Sequence, residues 1–378
     1  MRNHPLIEHD PRPRVAPPTF GVEEEFFVVD PRTRRIVSRA PDLLARARMS
    51  DRLCGEFTRV QVEANSPVCG DAADARRFLR AARRELARAA DVAGLAVVAS
   101  GTAVLGDPAS ADVSDGARYA DIAAHFGALR ESHVVCGCHV HVGVPDRGSA
   151  VLAAGRLRRW LPFLVAMSAN SPFQNGRDTG HASWRTVAWN RLPSAGPPPS
   201  LRSLADHERA VRALADAGAI LDRHMVYWDV RLSDHLPTLE IRVGDVAATA
   251  EEALLFATLT RGLATRVLTD VEHGVPAPEV GDTALRAALW RASRDGLEGV
   301  VPDPLTGESL PAAVAMDRLL AAALPGLLDN GDADLAADLL DRLRGRGSGA
   351  ARQRAAHDRR GRFTDVVDHL IDHTLEGL

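Results

Sequence analysis

The sequence predicts an α+β fold, in which an antiparallel β-sheet has helices packed on one face and an open polar second face. Segments with strand-like alternation are separated by segments with helical periodicity. No G-x-G-x-x-G motif follows a predicted strand, which argues against a parallel nucleotide-binding sheet. Five of the predicted strands alternate polar and apolar residues, which is typical of strands with one face in a core.

The elements follow one another from Thr19, after a proline-rich arm, residues 1–18, that we expect to be disordered. The predicted strands are Phe20 to Asp30, a short one near Ile36, Thr58 to Ala64, Leu95 to Ser100, His133 to Val144, Met225 to Leu232 and Thr238 to Val243. The predicted helices are Pro41 to Arg48, Ala72 to Ala93, Arg118 to Arg130, Arg147 to Ala169, Leu201 to Asp222, Ala250 to Glu272 and Thr283 to Arg294.

Two segments stand out from this series. Residues 171–200 have no period and are too long for an idle connection, so we expect a functional loop. Residues 344–362 contain seven arginines among glycines, which predicts a flexible basic loop within a helical C-terminal part. We expect residues 19–378 to form a single domain.

The composition excludes several kinds of chemistry and partner. All 46 basic residues other than histidine are arginine, so no lysine is present to form a P-loop or a Schiff base. A net charge of -4 gives no general reason to expect nucleic acid or an anionic membrane as partner. The four cysteines form no C-x-x-C pair, and we find neither a secretion signal nor a membrane anchor. We therefore expect a cytoplasmic protein.

The strand alternation predicts that one sheet face collects polar side chains, because residues i and i+2 of a strand share a face. These residues are Glu23, Glu25, Glu63, His139, His141, Asp229, Arg231, Glu240 and Arg242. Glu24 interrupts the apolar face of its strand, so we expect it at an edge or a bulge.

Such a face has the composition of a phosphoryl-transfer site. Converging carboxylates repel one another unless cations neutralise them, and carboxylates with histidine suit Mg²⁺ or Mn²⁺. Arginine binds phosphate or carboxylate with paired hydrogen bonds. For Glu63, Asp229 or Arg231 taken alone, a solvated polar side is the simpler alternative, whereas the pairs Glu23 with Glu25 and His139 with His141 favour a functional site. A zinc site at His139 and His141 is another, although no H-E-x-x-H motif accompanies them.

Seven motifs, in consistent order over residues 19–340, resemble those of the type 2 glutamate-cysteine ligase family of carboxylate-amine ligases. They are Gly21-Val-Glu-Glu-Glu25, Val62-Glu-Ala-Asn65, Gly137-Cys-His-Val-His-Val-Gly143, Asp178-Thr-Gly-His-Ala-Ser-Trp-Arg185, Trp228-Asp-Val-Arg231, Glu240-Ile-Arg-Val-Gly-Asp245 and Gly296-Leu-Glu-Gly299. The H-V-H and E-I-R segments also resemble the wider glutamine synthetase superfamily. The resemblance implies a sheet, like that of the glutamine synthetase catalytic domain, whose polar face is the active site.

The resemblance further implies ATP-dependent amide formation through an acyl phosphate, with weak glutamate–cysteine ligase activity. Glu23, His139 and Glu240 would hold one Mg²⁺, and Glu25 and Glu63 the other, with Glu56 as a further candidate ligand. His141 would lie by the nucleotide, Arg231 and Arg242 would neutralise phosphate charge, and Arg185 would bind a substrate carboxylate. Asp245 could equally be a helix cap or a turn residue.

Three other functions stay open at this point. The chain could be a ligase-like protein that binds ATP and metal without turnover, or a metal-dependent hydrolase, which would leave the arginines unused. Nucleic acid binding could use a helical stripe of arginines at Arg76, Arg80, Arg84 and Arg88, but flanking acidic residues favour a solvated face. The expected partners are a small carboxylate and an amine, and exposed helices make a homodimer plausible.

Overall fold

The computed structural model describes residues 17–377, so most of the predicted N-terminal arm lies outside the described residues. Eleven strands are present in this part of the chain. They are β1 (Phe20–Val29), β2 (Leu53–Gly55), β3 (Gln61–Asn65), β4 (Ala96–Val98), β5 (Gly137–Gly143), β6 (Phe173–Gln174), β7 (Arg177–Asp178), β8 (Val230–Leu232), β9 (Thr238–Asp245), β10 (Val300–Pro302) and β11 (Ser309–Pro311).

Seven of these strands form one sheet, in the order β2-β3-β1-β5-β9-β8 with β4 also paired to β1. Every pairing within this sheet is antiparallel. The remaining strands form two separate hairpins, β6-β7 and β10-β11. The antiparallel sheet and its helices confirm the predicted α+β class.

The helices are α1 (Ala40–Leu44), α2 (Ala72–Val92), α3 (Ala117–Phe126), α4 (Arg147–Leu157), α5 (Leu161–Ser168), α6 (Trp184–Trp189), α7 (Leu204–Asp216), α8 (Ala250–Glu272), α9 (Asp282–Asp295), α10 (Ala312–Asn330), α11 (Ala333–Arg346), α12 (Gly349–Asp358) and α13 (Phe363–Thr374). Helices α2, α4, α5 and α8 contact the sheet, and α10 packs on α8. The described residues include no helix that is both long and apolar enough to cross a membrane.

The apolar side chains of the central strands lie in one core, as the alternation predicts. The core contains one alternate set of side chains from each of these strands, namely Val22, Cys138, Val140, Val142, Leu239, Ile241 and Val243. The polar set of the same strands therefore points to the other side of the sheet.

Glu24 lies in the buried face of β1, and the predicted edge or bulge is wrong. Its carboxylate accepts hydrogen bonds from Arg83 of α2, including one of 3.1 Å from Nε, and both side chains are almost fully buried. Arg83 also donates to the carbonyls of Ala247, Ala248 and Thr374. The five donors of one guanidinium thus connect β1, α2, the segment that precedes α8 and the end of α13.

The predicted flexible loop at residues 344–362 is also wrong. Helix α11 continues to Arg346, and α12 covers most of the remaining segment. Ser348 caps α12 by accepting a hydrogen bond from Ala351 N at 3.0 Å. Gln353 of α12 is buried and donates to the side chain of Asn170 at 2.8 Å. Ala350, Gln353 and Ala356 of α12 are buried, whereas Arg359, Arg360 and Arg362, which follow the helix, are exposed.

Candidate active site

The strand register brings the predicted site residues together. Glu23 of β1 lies opposite His139 of β5, and Glu25 lies opposite Glu63 of β3. In the same way Glu240 of β9 lies between His141 of β5 and Arg231 of β8. Residues directly opposite in antiparallel strands have neighbouring side chains. Alternate residues of neighbouring strands therefore lie side by side on one face of the sheet and form one cluster of charged groups.

This cluster lines a cavity of about 300 Å³ on the polar face. Nine residues predicted for the site line it, namely Glu23, Glu25, Glu56, Glu63, His139, Arg185, Arg231, Glu240 and Arg242. His141 is not among the lining residues; it is buried, and its Nδ1 is 2.9 Å from Thr238 Oγ1. Asp229 is also buried and does not line the cavity.

The carboxylates and imidazoles form three sets whose donor atoms lie within 4.8 Å of one another. Glu25, Glu56 and Glu63 form one set, as expected for the second predicted metal site. The other two sets both contain Glu23, and they are Glu23–Glu63–His139 and Glu23–His141–Glu240. The structure thus places His141, rather than His139, with Glu23 and Glu240.

Burial and mutual repulsion raise the pKa values of three carboxyl groups in this cluster. Burial, followed by the charge of Glu56, raises the pKa of Glu25 to about 8. The same two causes raise the pKa of Glu63 well above its usual range, and burial raises that of Glu56. A cation bound among these groups would reverse the effect, because it stabilises their charged form.

Glu23 has the opposite behaviour because two histidines contact it. Burial would raise the pKa of Glu23, but hydrogen bonds from His139 and His141 outweigh burial and lower it. His139 Nδ1 is 3.2 Å from Glu23 Oε2, and His141 Nε2 is 3.0 Å from Oε1. His139 Nε2 is buried without a hydrogen-bond partner in the part of the chain that the structure describes. This oxygen-rich donor set with an unused imidazole nitrogen fits a divalent cation.

Two arginines bind the carboxylate of Glu240 at the other end of the cavity. Arg231 Nε donates to Glu240 Oε2 at 2.7 Å, and Arg242 Nη1 donates to Oε1. Backbone carbonyls of His224 and Val226 fix Arg231, each accepting a hydrogen bond of 2.9 Å from Nη1. The two guanidinium groups line the cavity in fixed positions, where they can bind an anionic ligand.

Arg185 enters the site from α6, in the long loop predicted to be functional. Its side chain is buried, and Nη2 donates to the carbonyl of Arg242 at 3.1 Å while Nη1 donates to that of Val243 at 3.4 Å. A Cβ atom at Gly137 would lie only 2.3 Å from Arg185 Nη2. Glycine at this point of β5 is therefore required for the close approach of the guanidinium.

Asp245 holds the loop that carries Arg185 and is not a helix cap, since Thr249 caps α8. Its carboxylate accepts hydrogen bonds from Asn170 N at 2.8 Å, Ser171 Oγ at 2.7 Å and Ser183 Oγ at 2.8 Å. Ser171 Oγ in turn accepts one from Arg185 N at 3.0 Å. Asp245 thus anchors the start of α6 to the end of β9.

An aromatic wall of the cavity was not predicted from the sequence. It consists of Phe57, Tyr119, His133, Trp189 and Tyr227. These residues come from loops, α3, α6 and a short 3₁₀ segment, so they share no period that the sequence could reveal. Only their position around the cavity identifies them.

The sequence is similar to a known family and to several curated proteins. The model of glutamate-cysteine ligase family 2 matches residues 19–369. A relative from Saccharopolyspora erythraea, provisionally named glutamate–cysteine ligase 2-2, is 43% identical over 363 residues, covering 94% of this chain and 93% of its own. One from Rhodococcus jostii, provisionally named glutamate–cysteine ligase 2-1, is 40% identical over 353 residues, covering 93% and 95%.

Two solved structures share the fold. A bifunctional glutathione synthetase from Pasteurella multocida has a TM-score of 0.69 at 14% identity, with 95% of this chain and 52% of that one covered. This chain therefore spans about half the length of the bifunctional protein. A glutamate–cysteine ligase from Francisella tularensis, solved in complex with AMP, has a TM-score of 0.65 at 10% identity, with 96% and 90% covered.

The family match covers most of the chain, and it confirms the resemblance that the seven motifs carry. The identities to the two curated relatives extend over nearly the full length of each protein. This chain therefore belongs to glutamate-cysteine ligase family 2 and is an ATP-dependent ligase that forms carbon–nitrogen bonds.

Proposed function

We propose that this enzyme joins the side-chain carboxylate of glutamate to the amine of cysteine, with ATP and Mg²⁺ or Mn²⁺. The observation that carries the proposal is the juxtaposition, in one cavity, of five glutamates with Arg185, Arg231 and Arg242. The glutamates provide oxygen ligands for divalent ions, and the arginines provide positive charge for phosphate and carboxylate. The names of the relatives supply the two substrates.

The reaction has two balanced steps. An oxygen of the substrate carboxylate attacks the γ-phosphorus of ATP, which forms an acyl phosphate and releases ADP. The uncharged amine nitrogen then attacks the acyl carbon, so that a C–N bond forms, the C–O bond to phosphate breaks and the amine loses a proton. Divalent ions, when bound, neutralise phosphate charge as it develops.

The side chains divide this work between the two ends of the cavity. Glu25, Glu56 and Glu63 hold one ion and Glu23, with the histidines and Glu240, the other. Arg231 and Arg242, fixed at Glu240, stabilise negative charge on the transferred phosphoryl group. Arg185 binds the carboxylate of the acyl substrate.

The direct test is release of ADP by the purified full-length protein with Mg²⁺ and ATP. Glutamate and other carboxylates should each be combined with cysteine and a panel of amines. We expect ADP only with particular pairs, and loss of ADP release when EDTA removes the metal. An enzyme that releases ADP with ATP and water alone would be a hydrolase, and a protein that binds MgATP without release would be a ligase-like binding protein.

We expect the Arg185→Gln substitution to raise the KM for the carboxylate substrate by about 10- to 100-fold, since a hydrogen bond to a charged group is worth about 1.5–3 kcal/mol. The KM for ATP should change little. Initial rates of ADP release at varied carboxylate concentration measure the effect. Arg191→Gln is the matched control, because Arg191 is exposed over the Trp184 ring and does not line the cavity. An equal rise in both KM values would contradict the assignment.

We place the enzyme in the cytoplasm, which the free state of its four cysteines supports. A homodimer stays a prediction from the exposed helices.

A further inference from the structure

The imidazole of His133 is buried and, among residues 17–377, makes no hydrogen bond of normal geometry. It is 7% exposed, and neither ring nitrogen meets a partner at the usual distance and angle, although the backbone of Arg130 lies close enough to raise its pKa against the effect of burial. A buried polar group without a partner costs free energy, so such a group in a folded protein needs an explanation. His133 lines the active-site cavity, where a bound substrate could supply the partner.

Aromatic rings surround His133 on its other sides. The ring centroids of Phe57, Phe126, Trp189 and Tyr227 lie 4.8, 5.1, 5.4 and 5.5 Å from that of His133. Burial lowers the pKa of His133 to about 4, so the imidazole is neutral at physiological pH. A neutral imidazole offers one donor and one acceptor and adds no charge to the wall, so it can pair with an uncharged polar atom of a substrate.

The shape and charge of this wall decide which substrate reaches it. The arginines that suit phosphate and carboxylate lie on β8, β9 and α6, whereas the rings nearest to His133 are aromatic. Two arginines border this wall, Arg242 over the Trp189 ring and Arg118 beside Tyr119, and each is paired with a carboxylate, Glu240 and Asp222 respectively. The neighbouring rings are tilted from the imidazole plane by 42° to 79°, so they do not form the parallel slot that a purine base would occupy. The wall thus fits a short, uncharged side chain with one polar atom.

We propose that His133 is a specificity-determining residue, which hydrogen-bonds the thiol or hydroxyl of the amine substrate and so selects it over an apolar amino acid of the same shape. This inference rests on the proposed function, because it presumes that the cavity holds an amine substrate. A site built to hydrogen-bond a substrate group discriminates against an analogue without that group, whose binding leaves the site's polar atom unpaired.

The test compares L-cysteine with L-2-aminobutyrate, which carries a methyl group in place of the thiol. Rates of ADP release at saturating MgATP and carboxylate give kcat/KM for each amine, and their ratio measures the selection. We expect kcat/KM of the wild-type enzyme to be about tenfold or more higher for L-cysteine than for L-2-aminobutyrate, which is the discrimination that one hydrogen bond gives. His133→Phe, which keeps a ring in the aromatic wall, should bring the ratio near one without changing the KM for ATP.

Two further variants separate hydrogen bonding from packing. His133→Gln, which restores a donor and an acceptor, should recover part of the ratio. Phe126→Leu, which alters a ring beside His133 that does not line the cavity, should leave the ratio unchanged. The shift in melting temperature on adding MgADP shows that each variant is folded.

The outcomes are distinguishable. An active wild-type enzyme whose ratio persists in His133→Phe, or is near one from the start, would overturn the role of His133 while leaving the ligase intact. Failure of the wild-type enzyme to release ADP with any carboxylate and amine would overturn the proposed function and this inference with it.

Discussion

Substitution of Glu23 by glutamine is expected to reduce kcat by roughly a hundredfold to a thousandfold, a loss similar to that from removing one preorganised hydrogen-bond donor at a developing charge. Glu23 belongs to two of the three ligand sets, so no other single carboxylate in the cavity replaces it in both. Glutamine keeps the shape but removes the charge that His139 and His141 contact. Higher Mg²⁺ concentrations should recover part of the rate, because the remaining ligands bind the ion more weakly.

Initial rates of ADP release at varied Mg²⁺, together with Mn²⁺ binding followed by electron paramagnetic resonance, measure both effects. Glu272→Gln is the matched control, since it makes the same chemical change at an exposed position near the end of α8. We expect it to retain wild-type activity. Full activity of Glu23→Gln with unchanged Mn²⁺ affinity would sink the assignment of the carboxylate cluster as the metal site.

The polar face could be predicted because it depends only on the alternation of residues along each strand. Alternation with period two assigns each side chain to a face, so Glu23, Glu25, His139 and Glu240 needed only the correct strands to be placed together. The division of these residues into ligand sets could not be predicted in the same way. It depends on register, which places His141 beside Glu240 and not His139.

Other features depend on contacts distant in sequence. Glu24 breaks the apolar pattern of β1, and only the position of Arg83, 59 residues away, explains why a charge is tolerated there. The composition of residues 344–362 suggested a loop, but the contact of Gln353 with Asn170, 183 residues away, holds a helix against the core. The pairing of His133 with an aromatic wall likewise exists only in the folded chain.

Substitution of Arg83 by methionine is expected to reduce the free energy of unfolding by about 3–5 kcal/mol, because it leaves the Glu24 carboxylate buried without its partner. The side chains of Arg83 and Glu24 are 0% and 1% exposed, so water cannot replace the lost contacts. The carbonyls of Ala247, Ala248 and Thr374 lose a donor at the same time. Urea unfolding followed by circular dichroism measures the change.

The double variant Arg83→Met with Glu24→Leu separates the two contributions. It removes the unpaired carboxylate, so its free energy of unfolding should be higher than that of Arg83→Met alone. It should stay lower than that of the wild-type protein, because the three carbonyls still lack their donor. Arg77→Met is the matched control, since Arg77 lies on the same helix with 71% of its side chain exposed. Its pair with Asp74 should be worth less than about 1 kcal/mol. A double variant no more stable than Arg83→Met would mean that the unpaired charge of Glu24 is not the cause of the loss, and that the bonds to the three carbonyls hold β1, α2 and the end of α13 together.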